Sequence, residues 1–113
     1  MKVITVPIDK EAEKLLDYDD ASMEQLLELE ILPDDFNYLY EIGYWNLINN
    51  ITGSIIDEFE DASITDRVQL NELIATLETK DFKSDFRVKK LNEKICSQLK
   101  EAYLRNTGVY FFF

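Results

Sequence analysis

The feature that most constrains this chain is a strand-like segment at each end. Val3-Ile4-Thr5-Val6 is rich in β-branched residues, and Pro7 favours a strand that stops there. Residues 109–113, Val-Tyr-Phe-Phe-Phe, form a second such segment. An isolated strand leaves backbone donors and acceptors unmatched. We therefore expect the two segments to pair with each other or to join one small sheet.

Helical periodicity follows the first strand. Asp9 is placed to cap a short helix that runs through residues 15–16. After a polar connection, the capping-box pattern Ser22-x-x-Gln25 and the spacing of the apolar residues predict a second helix over residues 22–31. The apolar positions of that helix are Met23, Leu26, Leu27 and Ile31.

The segment after Pro33 predicts one helix from Phe36 to about Ile51. Proline suits the first turn of a helix, and the carboxylates of residues 34–35 suit its positive end. At 100° per residue this helix is apolar on two opposite sides. Either it is buried between layers or one side is a docking surface, and burial is favoured. One side holds Phe36, Tyr40, Gly43, Tyr44, Leu47 and Ile51, and the other holds Tyr38, Ile42 and Trp45.

Two further amphipathic helices are predicted in the second half. Gly53 ends the preceding helix, and residues 55–61 predict a short helix or turn. Asp85 can cap the last and longest helix, and Gly108 suits the position just past its end. The apolar stripes are Leu70, Leu73, Ile74 and Leu77, then Val88, Leu91, Ile95, Leu99 and Ala102.

These patterns predict an α+β fold that is predominantly helical, with about five or six helices and short strands at the two termini. The 113 residues, 46% hydrophobic and 12% aromatic, match one domain, 1–113. The terminal phenylalanines are either core or an exposed docking tail. Burial is favoured, because three exposed phenylalanines promote aggregation.

The net charge of −11 is concentrated in the first part of the chain. Residues 1–66 hold 17 Asp and Glu against 3 Lys and Arg, whereas residues 67–113 hold 6 against 9. Such a field repels nucleic acid and anionic membranes and attracts basic proteins. The alternative is that the acidity only keeps the protein in solution. The basic residues of the last helix predict a solvated face.

The residue types argue against common catalytic and metal sites. With 0 His, conventional triads and the commonest metal ligand are missing, and with 3 Gly no nucleotide-binding loop is found. The acidic clusters lack calcium-loop spacing, and Cys96 lies beside an apolar stripe, which predicts burial. We expect no catalytic residue, metal or cofactor. An enzyme using carboxylates alone is the least favoured class.

The cellular location follows from three features. The first residues are too short an apolar run for a signal sequence, and no stretch approaches a membrane span. A single cysteine suits a reducing compartment. We expect a cytoplasmic protein with no membrane partner.

A partner-binding surface is predicted from acidic groups and aromatics. Glu24 and Glu28 would share one face of the second helix, opposite its apolar stripe. Aromatic residues would supply anchoring contacts that charge alone does not. The candidates are Asp17, Tyr18, Asp19, Asp20, Glu24, Glu28, Tyr38, Trp45, Asp57, Glu58, Glu60 and Asp61.

An acidic chain without catalytic groups, with aromatics among acidic helices, resembles the immunity proteins of bacterial toxin systems, including those of contact-dependent growth inhibition. The resemblance is one of overall profile, with no motif matched residue by residue. It implies a protein that occludes the basic cleft of a toxin domain, of nuclease type, without contacting nucleic acid itself. The alternatives are a phage-type inhibitor that mimics nucleic acid, such as an anti-CRISPR protein, and a small helical adaptor or regulatory protein.

Overall fold

The computed structural model describes residues 1–82 and 85–113, and this part of the chain has an α+β fold of five α-helices and a four-stranded antiparallel sheet. The predicted fold class is confirmed. The strands are β1 (Lys2–Pro7), β2 (Leu26–Ile31), β3 (Asp61–Ile64) and β4 (Val109–Phe112). The helices are α1 (Lys10–Asp17), α2 (Pro33–Glu41), α3 (Tyr44–Thr52), α4 (Arg67–Thr79) and α5 (Phe86–Arg105).

The two terminal strands are the inner strands of the sheet, whose order is β2-β1-β4-β3. Ile4 lies opposite Phe111, and Thr5 lies opposite Tyr110. The predicted pairing of the chain ends is confirmed. Because both strands have neighbours on each side, their backbone groups are matched along most of their length.

Helices α2 to α5 pack on one face of this sheet, and α1 lies over one end of the other face. Alternate strand residues point to the face under α5, which crosses β1, β2 and β4 there. The predicted stripes of α4 and α5 are buried, and Asp9 and Asp85 cap α1 and α5 as predicted. The strand residues in this core are Ile4, Val6, Ile31, Ile64, Val109 and Phe111, and Phe113, directly after β4, joins them.

An aromatic cluster joins the end of β4 to α2 and α3. The ring of Phe113 lies 5.2 Å from that of Phe36 and 5.1 Å from that of Trp45. The indole N–H of Trp45 donates to the carbonyl of Phe36, 3.2 Å away. The predicted burial of the terminal aromatics is confirmed, since Phe111 is 0% and Phe113 9% exposed.

The predicted helix over residues 22–31 is wrong. The capping box forms, with the Ser22 N–H donating to Gln25 Oε1 at 3.0 Å, but it starts only a 3-10 turn, Met23–Gln25. The chain then enters β2, where Glu28 and Glu30 alternate with leucines and pair with β1. The apolar residues of segment 26–31 fit both the two-residue period of a strand and the 3.6-residue period of a helix. Pairing with β1 selected the strand.

The predicted single helix from Phe36 to Ile51 is two helices, α2 and α3. Gly43 separates them at φ +84°, a left-handed conformation that glycine adopts without strain. The break resets which residues face the core: α2 buries Phe36 and Leu39, and α3 buries Tyr44, Trp45 and Ile48. The favoured burial is confirmed for Phe36, Tyr44 and Trp45, all at most 2% exposed.

Two smaller expectations are also corrected. Residues 55–60 contain a turn at residues 58–59, one of the two predicted alternatives, and no helix, and Asp61 begins strand β3, which the sequence analysis missed. The residue that ends α5 in the left-handed conformation is Asn106, at φ +58°, rather than Gly108. Gly108 is instead needed for space, since a Cβ there would lie 2.8 Å from Thr65 Cγ2.

The two sides of β4 give a test of this arrangement. Phe111→Ala should lower the free energy of unfolding by about 3–5 kcal/mol, because the truncated side chain leaves a cavity in the buried core. Phe112→Ala, on the other side of the same strand and half-buried, should cost less than half as much. Urea unfolding followed by circular dichroism measures both. Equal losses of stability in the two variants would contradict the assignment of Phe111 to the core face of the sheet and of Phe112 to the other face.

Candidate acidic interface on the open sheet face

The sheet face opposite the α5 layer carries a cluster of carboxylates. Register and alternation place ten residues on this face, which we call the open face. Its members are Leu26, Glu28 and Glu30 of β2, the buried Val3, Thr5 and Pro7 of β1, Tyr110 and Phe112 of β4, and Asp61 and Ser63 of β3. None of the ten is basic. Among residues 1–82 and 85–113, no ion pair involves Glu28, Glu30 or Asp61.

These carboxylates stand at the two edges of the sheet. Glu30, Val3, Phe112 and Asp61 form one row across the four strands. Three strand spacings place the backbones of Glu30 and Asp61 about 14 Å apart. That separation is of the same order as the major groove of DNA, about 12 Å wide, whose rims are phosphates. The face therefore presents negative charge on two rims.

The middle of the open face is aromatic. The rings of Tyr110 and Phe112 are stacked, with centroids 6.3 Å apart and an interplanar angle of 14°. Burial, followed by the negative charge of Glu13, raises the pKa of Tyr110. The phenol stays protonated and donates to Glu13 Oε2 at 3.0 Å, which fixes α1 over one end of the face.

The predicted acidic connection follows α1 directly. Asp17 ends that helix and is among the charges that raise the pKa of Tyr110, so it lies near the open face. Asp19 takes φ +58°, and Asp19 and Asp20 are both exposed. Tyr18 is 69% exposed. The structure leaves all four residues available at the surface.

A second acidic segment leads into β3. We call residues 57–61, Asp-Glu-Phe-Glu-Asp, the acidic turn, and all five are exposed. Glu58 pairs with Lys2 at 3.3 Å, whereas Asp61 is already part of the open face. The turn thus extends the negative surface beyond the β3 edge.

The predicted relation between Glu24 and Glu28 is wrong, because no helix holds them. Glu24 lies in the 3-10 turn and Glu28 in β2. Both are exposed, and Glu28 points to the open face because its neighbours Leu27 and Leu29 pack against the core. Each residue remains a surface carboxylate, but they do not form one helical face.

Two of the predicted aromatic anchors contact the protein itself. Trp45 is 1% exposed within the aromatic cluster, so it cannot reach a partner, and its assignment to the interface is corrected. Tyr38 is half-buried and donates a hydrogen bond to Asp85 Oδ2. Its ring lies 4.4 Å from the guanidinium carbon of Arg87, which also pairs with Asp35 at 2.8 Å. Tyr38 therefore ties α2 to the start of α5.

Several surface residues were missed by the sequence analysis. Glu30, Tyr110 and Phe112 share the open face, and Phe59 is 86% exposed in the acidic turn. The alternation of residues 26–31 was a signal for Glu30. No local pattern marked Phe59, because its exposure depends on the turn in which it lies.

The opposite side of the molecule is basic. The side chains of α5 that point away from the sheet include more cations than anions, as predicted for a solvated face. Cys96, also on α5, is buried, and burial raises the pKa of its thiol to about 11, so it is protonated at neutral pH. The exposed cations of α5 are Arg87, Lys89, Lys90, Lys94, Lys100 and Arg105.

Residues 1–82 and 85–113 contain neither a membrane-spanning helix nor a metal-binding cluster. No helix there is both long and apolar enough to cross a membrane. In the same residues, no three acidic or cysteine side chains converge in a metal-binding arrangement.

The contact of Tyr38 with Asp85 predicts a pH-dependent stability. The hydrogen bond from Tyr38 is the main cause that lowers the pKa of Asp85 below 3.8. The ionised form is favoured in the folded state, so its contribution is complete above that pH and is lost as the pH falls through the lower folded value. Tyr38→Phe keeps the ring over Arg87 and removes the hydroxyl.

We expect Tyr38→Phe to be less stable than the unaltered protein at about pH 6, with the difference in unfolding free energy narrowing as the pH falls below 3.8 and through the lower folded pKa of Asp85. Urea unfolding at a series of pH values measures this difference. A gap that stays constant across the series would show that the hydroxyl acts independently of the Asp85 charge.

Comparison with known proteins finds one likeness in structure and none in sequence. No protein-family model matches the chain, and no curated protein matches it. A solved structure named Neisseria DNA mimic protein DMP12 aligns with a TM-score of 0.67 and 20% sequence identity, covering 100% of this chain and 100% of that chain. At that identity, the likeness shows that the two chains share a fold.

Proposed function

We propose that this protein is a binding inhibitor that catalyses no reaction and occupies the nucleic-acid site of a basic partner protein. The observation that carries the proposal is the open face, where Glu28, Glu30 and Asp61 stand on two rims and the strand residues between them include no cation. A surface of this kind repels nucleic acid and attracts the proteins that bind it.

The mechanism is competition for the same cations. A protein that binds DNA or RNA neutralises phosphates with lysine and arginine, and this term supplies much of its affinity. Carboxylates held at the rims of a rigid sheet can pair with the same groups without the loss of conformational entropy that a flexible chain would suffer. The partner could then not hold nucleic acid at that site.

The structural comparison supports this proposal. The solved protein with the same fold is named a DNA mimic. For the present chain, the charge distribution supports the same role, because 15 of the 17 carboxylates in residues 1–66 are exposed, with Glu13 and Asp35 half-buried.

The partner class follows from the resemblance to toxin immunity proteins. We propose a basic, nuclease-type toxin domain in the cytoplasm, whose cleft is occluded by the open face. A phage-type inhibitor of another nucleic-acid-binding protein would use the same surface, so identification of the partner distinguishes the two. No feature of the described residues favours the helical adaptor.

The experiment begins with capture of the partner from nuclease-treated lysate of the source cells on the tagged protein. The association rate of the purified pair is then measured by surface plasmon resonance. It should fall as salt rises, since the Debye length shrinks from about 30 Å at 0.01 M to about 8 Å at 0.15 M. Double-stranded DNA or RNA should displace the protein from the partner.

Charge reversal locates the surface. The triple variant Glu28→Lys, Glu30→Lys and Asp61→Lys should lower the association rate by about tenfold or more, because steering by a charged face is worth 10-fold to 1000-fold. The control Glu41→Lys, Glu72→Lys and Glu93→Lys changes the net charge equally, at exposed positions on helices α2, α4 and α5. Its effect should be clearly smaller.

Binding that is indifferent to salt, to the open-face reversals and to added nucleic acid would sink this proposal. An equal loss in the two triple variants would show that net charge matters and the open face does not.

A further inference from the structure

A small cavity beside the acidic turn combines carboxylates with aromatic rings. It has a volume of about 200 Å³. Tyr40, one of its walls, is 50% exposed, and the ring of Phe36 lies 6.3 Å from that of Tyr40. The lining residues are Phe36, Asn37, Tyr40, Asp57 and Glu58. This composition suits a cation, because carboxylates and ring faces both attract positive charge.

The protein already places one of its own cations against this group. The ammonium of Lys2 lies 4.5 Å from the ring centroid of Phe36 and 5.3 Å from that of Phe59. It also pairs with Glu58 at 3.3 Å and donates to the carbonyl of Phe113 at 3.3 Å. Lys2 neutralises one charge of the acidic turn, which leaves a net charge of about −3 from its four carboxylates.

Phe59 is held outward by its backbone. Its φ of +64° is uncommon for a residue other than glycine and costs about 1–3 kcal/mol. The Phe59 N–H donates to the Phe113 carbonyl at 3.2 Å, which continues the β3–β4 ladder and fixes this conformation. The side chain is 86% exposed and contributes little to the core. Aromatic residues, phenylalanine among them, are enriched in protein interfaces, so an exposed phenylalanine at this position is suited to contact a partner.

We propose that the acidic turn and the adjoining cavity receive an arginine side chain of the basic partner. The guanidinium stacks on the ring of Tyr40 or Phe59 and pairs with the carboxylate of Asp57. This site rests on the proposed function, and it adds that the partner is recognised by arginine in preference to lysine. A planar guanidinium can stack on a ring and donate two parallel hydrogen bonds to a carboxylate, whereas an ammonium cannot.

The test uses hexa-arginine and hexa-lysine peptides as probes of the full chain. Their affinities at low salt are measured by NMR titration of backbone amides. The arginine peptide should bind at least about threefold more tightly, the ratio expected from cation–π contacts at exposed rings. The largest shifts should fall in residues 57–61 and at Tyr40. Equal affinities, or shifts located elsewhere, would overturn the inference.

Matched variants distinguish the contribution of the aromatic rings to arginine binding from that of the carboxylate charge. Phe59→Leu and Tyr40→Leu should reduce the arginine-to-lysine ratio towards one, while the control Phe86→Leu, at a 68% exposed ring on basic α5, should leave it unchanged. Asp57→Asn keeps an oxygen to accept from the Glu58 N–H and removes the charge. It should weaken arginine binding more than Glu72→Gln does.

These variants leave the open face intact, so the two proposals fail in different ways. If Phe59→Leu and Tyr40→Leu leave the peptide ratio unchanged, the arginine site is wrong, whatever the open-face reversals do. If the peptides show the arginine preference but nucleic acid does not compete with the captured partner, the proposed inhibitor function is wrong. The arginine site is then still supported by the peptide result.

Discussion

The pairing of β1 with β4 is the interaction on which the rest of this structure depends. It joins the two ends of the chain, and closing a loop of that length costs on the order of 4 kcal/mol of chain entropy. The cost is offset by burial, since Ile4 and Phe111 lie opposite each other at 0% exposure. Only when this central pair exists can β2 and β3 attach as edges, and only then does α5 have a surface to cover.

The same sheet separates the charges of the molecule. Helices α2 to α5 cover one face, and α5 carries its cations on the outside of that layer. On the other face, which α1 covers only at one end, the two edges carry the carboxylates Glu28, Glu30 and Asp61. Charged edge strands also discourage pairing with further strands. One set of residues therefore keeps the sheet from extending and forms the surface that we propose meets a basic partner.

The aromatic residues divide by location into two roles. Phe36, Trp45 and Phe113 fix the helices on the sheet through ring contacts of 5.1–5.5 Å. Tyr40 and Phe59 stay at the surface among carboxylates. Lys2 connects the two groups, because its ammonium contacts a buried and an exposed ring. Charge can attract a partner from a distance, whereas exposed rings supply short-range contacts that hold it.

The sequence by itself determined the α+β class, the terminal strands, the stripes of α4 and α5 and the acidity of the first half, because these depend on local composition and period. It also placed Asp17, Asp19 and Asp20 at the surface. Tertiary structure decided the rest. The pattern of residues 26–31 fits both a helix and a strand, and it is the pairing with β1 that makes this segment a strand. The helix break at Gly43 turns α3 so that Trp45 is buried in the core. Glu30, Phe112 and Asp61 came onto one face through strand register, which joins residues far apart in sequence. The alternation of residues 26–31 indicates on which side Glu30 lies, but no local pattern indicates its neighbours across the sheet.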